Sequence, residues 1–202
     1  MTNIEKWLVS LLKVSIGTNI KEGPWGGGNL FAKNLKNYLI SKGHKVFHDL
    51  KEDDLDIILI TEPRKTSESS AFTDIDVKKY LSYKNKDCLV VHRINECDER
   101  KQTNYVNKYL INANKVADET IFVSNWLRNL YMIQGIKSNN LNVIMAGADS
   151  EIFNSHKKKV WDKKTKLKLV THHWGANWNK GFDTYVKIDE MLDLQEWKNI
   201  IE

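Results

Sequence analysis

"KVSIGTNIKEGPWGGGNLFAKNLKNYLIS", residues 13–41, is the stretch whose reading decides the fold. A short apolar run, Lys13 to Thr18, leads into a loop with four glycines among residues 23–28. An apolar-periodic segment from about Asn29 to Ser41 follows, so the stretch reads as strand, glycine loop, helix. One or two glycines serve a turn. Gly26, Gly27 and Gly28 in a row suggest something that must approach the backbone directly.

The alternation continues along the chain. "GHKVFHDL" (43–50), "DLDIILI" (54–60), "DCLVVHRI" (87–94), "DETIFVS" (118–124) and "LNVIMAGA" (141–148) read as further strands. Helix-period segments fall between them, at about 76–83, 104–117 and 125–135. Continuously apolar strands alternating with helices predict a parallel sheet covered on both faces. The expected class is therefore α/β, a Rossmann-like parallel-sheet domain over residues 1–153. A basic linker is expected at 154–165, and "LKLVTHH" with "GFDTYVKIDEML" reads as the start of a second, incomplete α/β domain at 166–202.

Composition narrows the class. With 202 residues, 41% hydrophobic and 28% charged, the chain is long enough for one packed domain plus part of another. Its net charge of +5 permits an anionic partner, although a Lys-rich exterior explains it equally well. Cys88 and Cys97 fit no metal or disulfide framework, so reduced thiols and a cytoplasmic setting are expected. No apolar stretch approaches the roughly 18 residues of a membrane span. "WLVSLL" belongs to a short amphipathic helix, Ile4 to Leu12, which leaves peripheral contact with a membrane face open. No RNA-binding module signature is present, and a nucleic-acid partner is not expected.

In doubly wound folds ligands bind at the carboxyl ends of the strands, where the glycine loop sits. Helix N-terminal amides there favour an anion, most often a phosphate. The spacing is not that of a P-loop. Gly26 and Gly28 supply the G-x-G of a dinucleotide fingerprint, and Asp49 lies where a ribose-binding acid would. Phe31, however, occupies the third glycine position. His92, Arg93, Asn95, Glu96 and Asp98 cluster after a strand on the same edge. They read either as site residues or as a core histidine beside helix-capping charges. Asp54-x-Asp56 precedes its strand, at the wrong end for a site, and Asp74-x-Asp76 reads as a helix cap. His172 and His173 point to opposite faces of a strand, and no metal is expected. Trp25, Trp174 and Trp178 could pack on a sugar or base, or on the protein itself.

Five segments, in order, carry a resemblance: "GPWGGGNLFAKNLKNYLISKGHKV", "VVHRINECDERK", "ADETIFVSNWL", "NVIMAGADSEIF" and "LVTHHWGANWNKGFDTY". Together they resemble the group 1 glycosyltransferases, the retaining family 4 of the GT-B fold. The resemblance implies two Rossmann-like domains facing a cleft, with a sugar passing from a nucleotide-sugar to an acceptor hydroxyl on a carbohydrate or lipid-linked acceptor. The nucleotide-sugar is then substrate, and no cofactor is implied.

By the resemblance, Gly26, Gly27, Gly28 and Lys180 hold the donor diphosphate, Arg93 and Asn95 bind the acceptor, and His92, Glu96 or Asp98 assist catalysis from the acceptor side. The family's arginine about five residues before Lys180 has no counterpart, since the region reads Trp174-Gly175-Ala176. Its acidic E-x7-E motif has none before Glu202, so weak or no turnover is expected of this chain alone. A non-catalytic nucleotide- or glycan-binding remnant and a dinucleotide oxidoreductase are the rival readings.

Overall fold

The computed structural model describes residues 11–23, 25–137, 140–170 and 178–201. The expected helix at Ile4 to Leu12 falls almost wholly outside these residues, and His172, His173 and Trp174 fall outside them entirely. Contacts divide the chain into two units, Met1–Ala146 and Gly147–Glu202. None of the described helices is long and apolar enough to cross a membrane.

The first unit is built on six strands: β1 (Lys13–Ile16), β2 (Lys45–Phe47), β3 (Ile57–Ile60), β4 (Leu89–Ile94), β5 (Glu119–Phe122) and β6 (Leu141–Val143). They form one sheet in the order β2-β1-β3-β4-β5-β6, and every pairing is parallel. Helices α1 (Gly27–Ser41), α2 (Asp74–Tyr83), α3 (Asp98–Lys101), α4 (Val106–Asn114) and α5 (Asn125–Gln134) connect them. The Rossmann-like α/β reading of the sequence therefore holds for this unit. Its order is that of doubly wound sheets whose direction of winding reverses between β1 and β3.

Strand alternation assigns each face. Val14, Ile16, Leu59 and Val91 pack with Ala32, Phe31, Leu35 and Leu39 of α1. On the other face, Leu55, Ile58, Ile60 and Val90 meet Val77 and Tyr80 of α2. Ile94 and Phe122 meet Val106 and Leu110 of α4 and Leu127 and Tyr131 of α5. Burial on both faces explains why "IILI" reads as a continuous apolar run rather than an alternating one.

Local chemistry sets the ends of the elements. Thr73 and Asp76 form a reciprocal capping box at the start of α2, so this Asp pair caps a helix. Ser124 Oγ accepts from the Leu127 amide to start α5, and Gly135 ends that helix at φ +117°. At the amino edge of the sheet, Lys13 Nζ lies 3.0 Å from Glu52 and 2.5 Å from Asp54, and its amide donates to Asp56 Oδ2 at 2.7 Å. Asp54 and Asp56 thus anchor β1 at the edge opposite the strand ends that build a site.

The second unit is described by itself. It contains a 3-10 turn at Trp178–Lys180 and helices α6 (Phe182–Leu192) and α7 (Gln195–Lys198). Leu167 makes a parallel bridge with Ile201, and residues 171–173 of the expected strand lie outside the described residues.

Tyr80 is 3% exposed and its hydroxyl accepts the Leu55 amide at 2.8 Å. Tyr80→Phe leaves that buried N–H without a partner and is expected to cost about 1–3 kcal/mol in urea unfolding. Tyr83→Phe, at a residue 86% exposed, is the matched control and should change nothing. Equal midpoints for the two variants would contradict this packing.

Candidate functional site

The carboxyl ends of β1 and β3 form the crevice at the winding reversal. Gly17 follows β1 directly, and its amide donates to Leu59 O at 2.8 Å. A Cβ there would stand 3.1 Å from both Leu59 O and the Phe72 ring, a tight fit that needs its neighbours to give by a few tenths of an ångström. Thr18 comes next, with its hydroxyl 2.7 Å from that of Thr61.

The chain then runs to α1 through a loop tied at several points. Asn19 bonds Ser69 O through its amide (2.9 Å) and Ser70 O through its side chain (2.7 Å). Asn29, in the first turn of α1, exchanges two 2.8 Å hydrogen bonds with the Lys21 backbone. Lys21 Nζ sits 4.2 Å above the Trp25 ring and pairs with Glu68 at 2.5 Å. These ties hold the loop without filling the space before the helix. A Cβ built on Gly27 or Gly28 meets nothing within 4 Å.

The start of α1 is chemically bare. Gly26, its N-cap residue, supplies no side-chain bond, and the first turn holds no acidic residue. Four amides at a helix N-terminus lack intrahelical partners, and the dipole adds partial positive charge there. In α2 that demand is met by Thr73 and Asp76; in α1 no side chain meets it, and the Asn29 amide turns back to Gly26 O.

Arg93 faces α1. It is 8% exposed, and its guanidinium carbon lies 3.8 Å from the centroid of the Phe31 ring. Burial lowers its pKa from the usual arginine value. Phe31 therefore carries a cation at the position where a dinucleotide fingerprint needs close helix–sheet packing. Asp49 sits two residues past β2, with its side chain about half exposed and turned back on the amide of Lys51 (3.0 Å).

The other candidates are placed differently. His92 points to the opposite face of β4, is fully buried, and has no hydrogen-bond partner for either ring nitrogen among the described residues. Burial pushes its pKa down to about 4, opposed by the Asn114 amide, which is itself bonded both ways to Thr120 Oγ1 at 3.0 Å. Of the two readings of the sequence this burial favours the core histidine, and strand alternation turns the ring away from α1.

Glu96 is held by Arg64 and Lys101, and Arg64 is also gripped by Glu62 through Nε at 2.7 Å. Asp98 accepts the amides of Val106 (2.9 Å), Asn107 (3.0 Å) and Tyr105 (3.1 Å), and the Thr103 hydroxyl (2.5 Å). It caps α4. Asn95 is half-buried beside them. Lys180 is exposed in the second unit, ahead of Gly181, which opens α6 at φ +79°.

The structure brings Gly26, Gly27, Gly28 and Arg93 to the α1 side of the sheet. Sequence reasoning missed Thr18 and Thr61. Their signal was the parallel between "SIGT" and "ILIT", each with a threonine just beyond the end of its strand.

No family model matches the chain, and no curated protein matches it. Among solved structures it is similar to an alpha-glucosyltransferase in complex with UDP-glucose and DNA containing an abasic site. The identity is 15% and the TM-score 0.48, over 88% of this chain and 54% of that one. It is also similar to an alpha-glucosyltransferase in complex with UDP and a 13-mer DNA containing a HMU base, at 16% identity and TM-score 0.44. That match covers 66% of this chain and 42% of the other. The chain thus spans about half the length of these proteins, or less. At such identity and TM-score the likeness reaches neither substrate nor site residues.

Asp98→Ala is expected to remove about 1–2 kcal/mol of stability at pH 7, as loss of a helix cap does. Burial alone would raise the Asp98 pKa, but the bonds from Thr103, Asn107, Val106 and Tyr105 outweigh it and hold it below the usual value. Its contribution is therefore complete above the unfolded pKa of about 3.9 and lost as pH falls through the lower folded value. Urea titrations of both proteins should converge on acidification. A gap that is absent at pH 7, or that widens in acid, would contradict the capping role.

Proposed function

We propose that this chain carries the glycine-loop half of a GT-B glycosyltransferase of the retaining group 1 type, together with the start of its second domain. The enzyme transfers a sugar from a nucleotide-sugar to an acceptor hydroxyl. The observation that carries the reading is the bare, glycine-opened N-terminus of α1 at the winding reversal between β1 and β3. The order of the "HRINECD" and Lys180-Gly181 landmarks in the sequence supports it.

In this reading the amides of Gly27 and Gly28 receive oxygens of the donor diphosphate. The bond between the anomeric carbon and the diphosphate oxygen breaks, and a bond from the same carbon to the acceptor oxygen forms. Negative charge grows on the departing nucleoside diphosphate, where fixed amide dipoles stabilise it most. His92, Glu96 and Asp98 are enclosed or engaged, so the acceptor proton passes to the departing diphosphate oxygen. The donor is substrate and no resident cofactor takes part.

Calorimetric titration with nucleoside diphosphates and nucleotide-sugars tests the proposal. Gly27→Val and Gly28→Val put side chains into open space, so both variants should fold, and both should bind the preferred nucleotide at least tenfold more weakly. Saturable binding that neither variant changes would remove the donor site from α1. Binding without transfer, in this chain and in one extended past Glu202, would favour the non-catalytic remnant.

A further inference from the structure

The pairing register places a polar row just beyond the apolar one. Ile16 pairs with Leu59, and Leu59 with Val91, all three packed toward α1. One residue past the last pair, Ile60 with His92, Thr61 comes beside Arg93, and Thr18, just after β1, meets the Thr61 hydroxyl. The bond between Thr18 and Thr61 attests to that alignment. Above them, at the mouth of the same crevice, α1 begins without a cap or an acid.

We propose that Arg93 is the charged anchor of a phosphoryl-binding subsite on this face, shared with the Thr18–Thr61 hydroxyl pair and the first-turn amides of α1. The proposal deepens the donor reading by assigning Arg93 to an anion, and rests on that reading only for the identity of the anion's carrier.

Three observations carry it. First, Arg93 is more than nine-tenths buried and has no hydrogen bond or ion pair among the described residues. A guanidinium has five N–H donors, and the face of Phe31 satisfies none of them. Its nitrogens are not sealed from solvent, so an anion arriving there gains charge-assisted hydrogen bonds. Second, the acids at this edge are already taken. Glu62 and Glu96 both hold Arg64, and Glu68 and Glu22 hold Lys21 and Lys33. Third, the threonine pair shares one of its two hydroxyl protons internally and keeps the other to donate. Guanidinium, hydroxyl and helix amides are all donors, and a tetrahedral oxyanion with several free oxygens matches such a set.

Thermal melts of the chain with inorganic pyrophosphate, UDP, uridine and glycerol 3-phosphate test the subsite. The wild type should be stabilised by pyrophosphate and not by uridine, and Arg93→Met should weaken the pyrophosphate response at least tenfold. Arg93→Lys keeps the charge without the fork, should fall between them, and serves alone if the methionine variant does not fold. A pyrophosphate affinity unchanged by either substitution, or a wild type indifferent to all three phosphate-bearing probes, would overturn the proposal.

The comparison also separates it from the donor reading. An Arg93-dependent pyrophosphate response with no gain for UDP keeps the subsite and removes the nucleotide. UDP binding indifferent to Arg93 does the reverse. Preference for glycerol 3-phosphate over pyrophosphate assigns the subsite to a phosphorylated acceptor.

Discussion

The parallel pairing of β1 with β3 is the constraint on which the rest of the first unit depends. It puts the reversal of winding between these two strands and so opens a crevice at their carboxyl ends. It favours glycine at position 17, where the amide meets Leu59 O and a Cβ would be tightly held. It also sets the register that brings Thr18 to Thr61 and leaves Arg93 on the same face. Shift β1 by one residue and its apolar side chains would change face, taking Thr18 out of reach of Thr61.

Charge is sorted by edge around that crevice. At the amino edge, Lys13 is met by Glu52, Asp54 and Asp56, which pins the start of β1. At the carboxyl edge the acids are occupied by Arg64, Lys101 and Lys21. What stays open is positive: a helix N-terminus without an acid and a guanidinium resting on an aromatic face. A site with fixed, preformed donors spends little on reorganisation when an anion arrives. The ties from Asn19 and Asn29 serve the same end by fixing the loop around the gap.

Much of this was legible in the sequence. The alternation of apolar strands and helices predicted the parallel sheet, because strands buried on both faces cannot hide their composition. The glycines read as an opening before a helix, and Cβ atoms at Gly27 and Gly28 indeed meet open space. Other features depended on register, which one sequence does not disclose. His92 and Arg93 are neighbours in "HRIN", yet alternation sends one into the core and the other toward α1. Asp98 read either as a site acid or as a helix cap, and the return of the chain at Val106 shows which amides it caps. Thr18 and Thr61 were invisible as a pair because 43 residues separate them.

Backbone-amide NMR of the labelled chain during titration with UDP tests the central claim most directly. The account predicts that the Gly27 and Gly28 amides and the Arg93 side-chain Nε–H move together and saturate at one concentration. UDP-dependent shifts confined to residues outside the α1 N-terminus and the β1/β3 crevice, with those three signals unmoved, would contradict it.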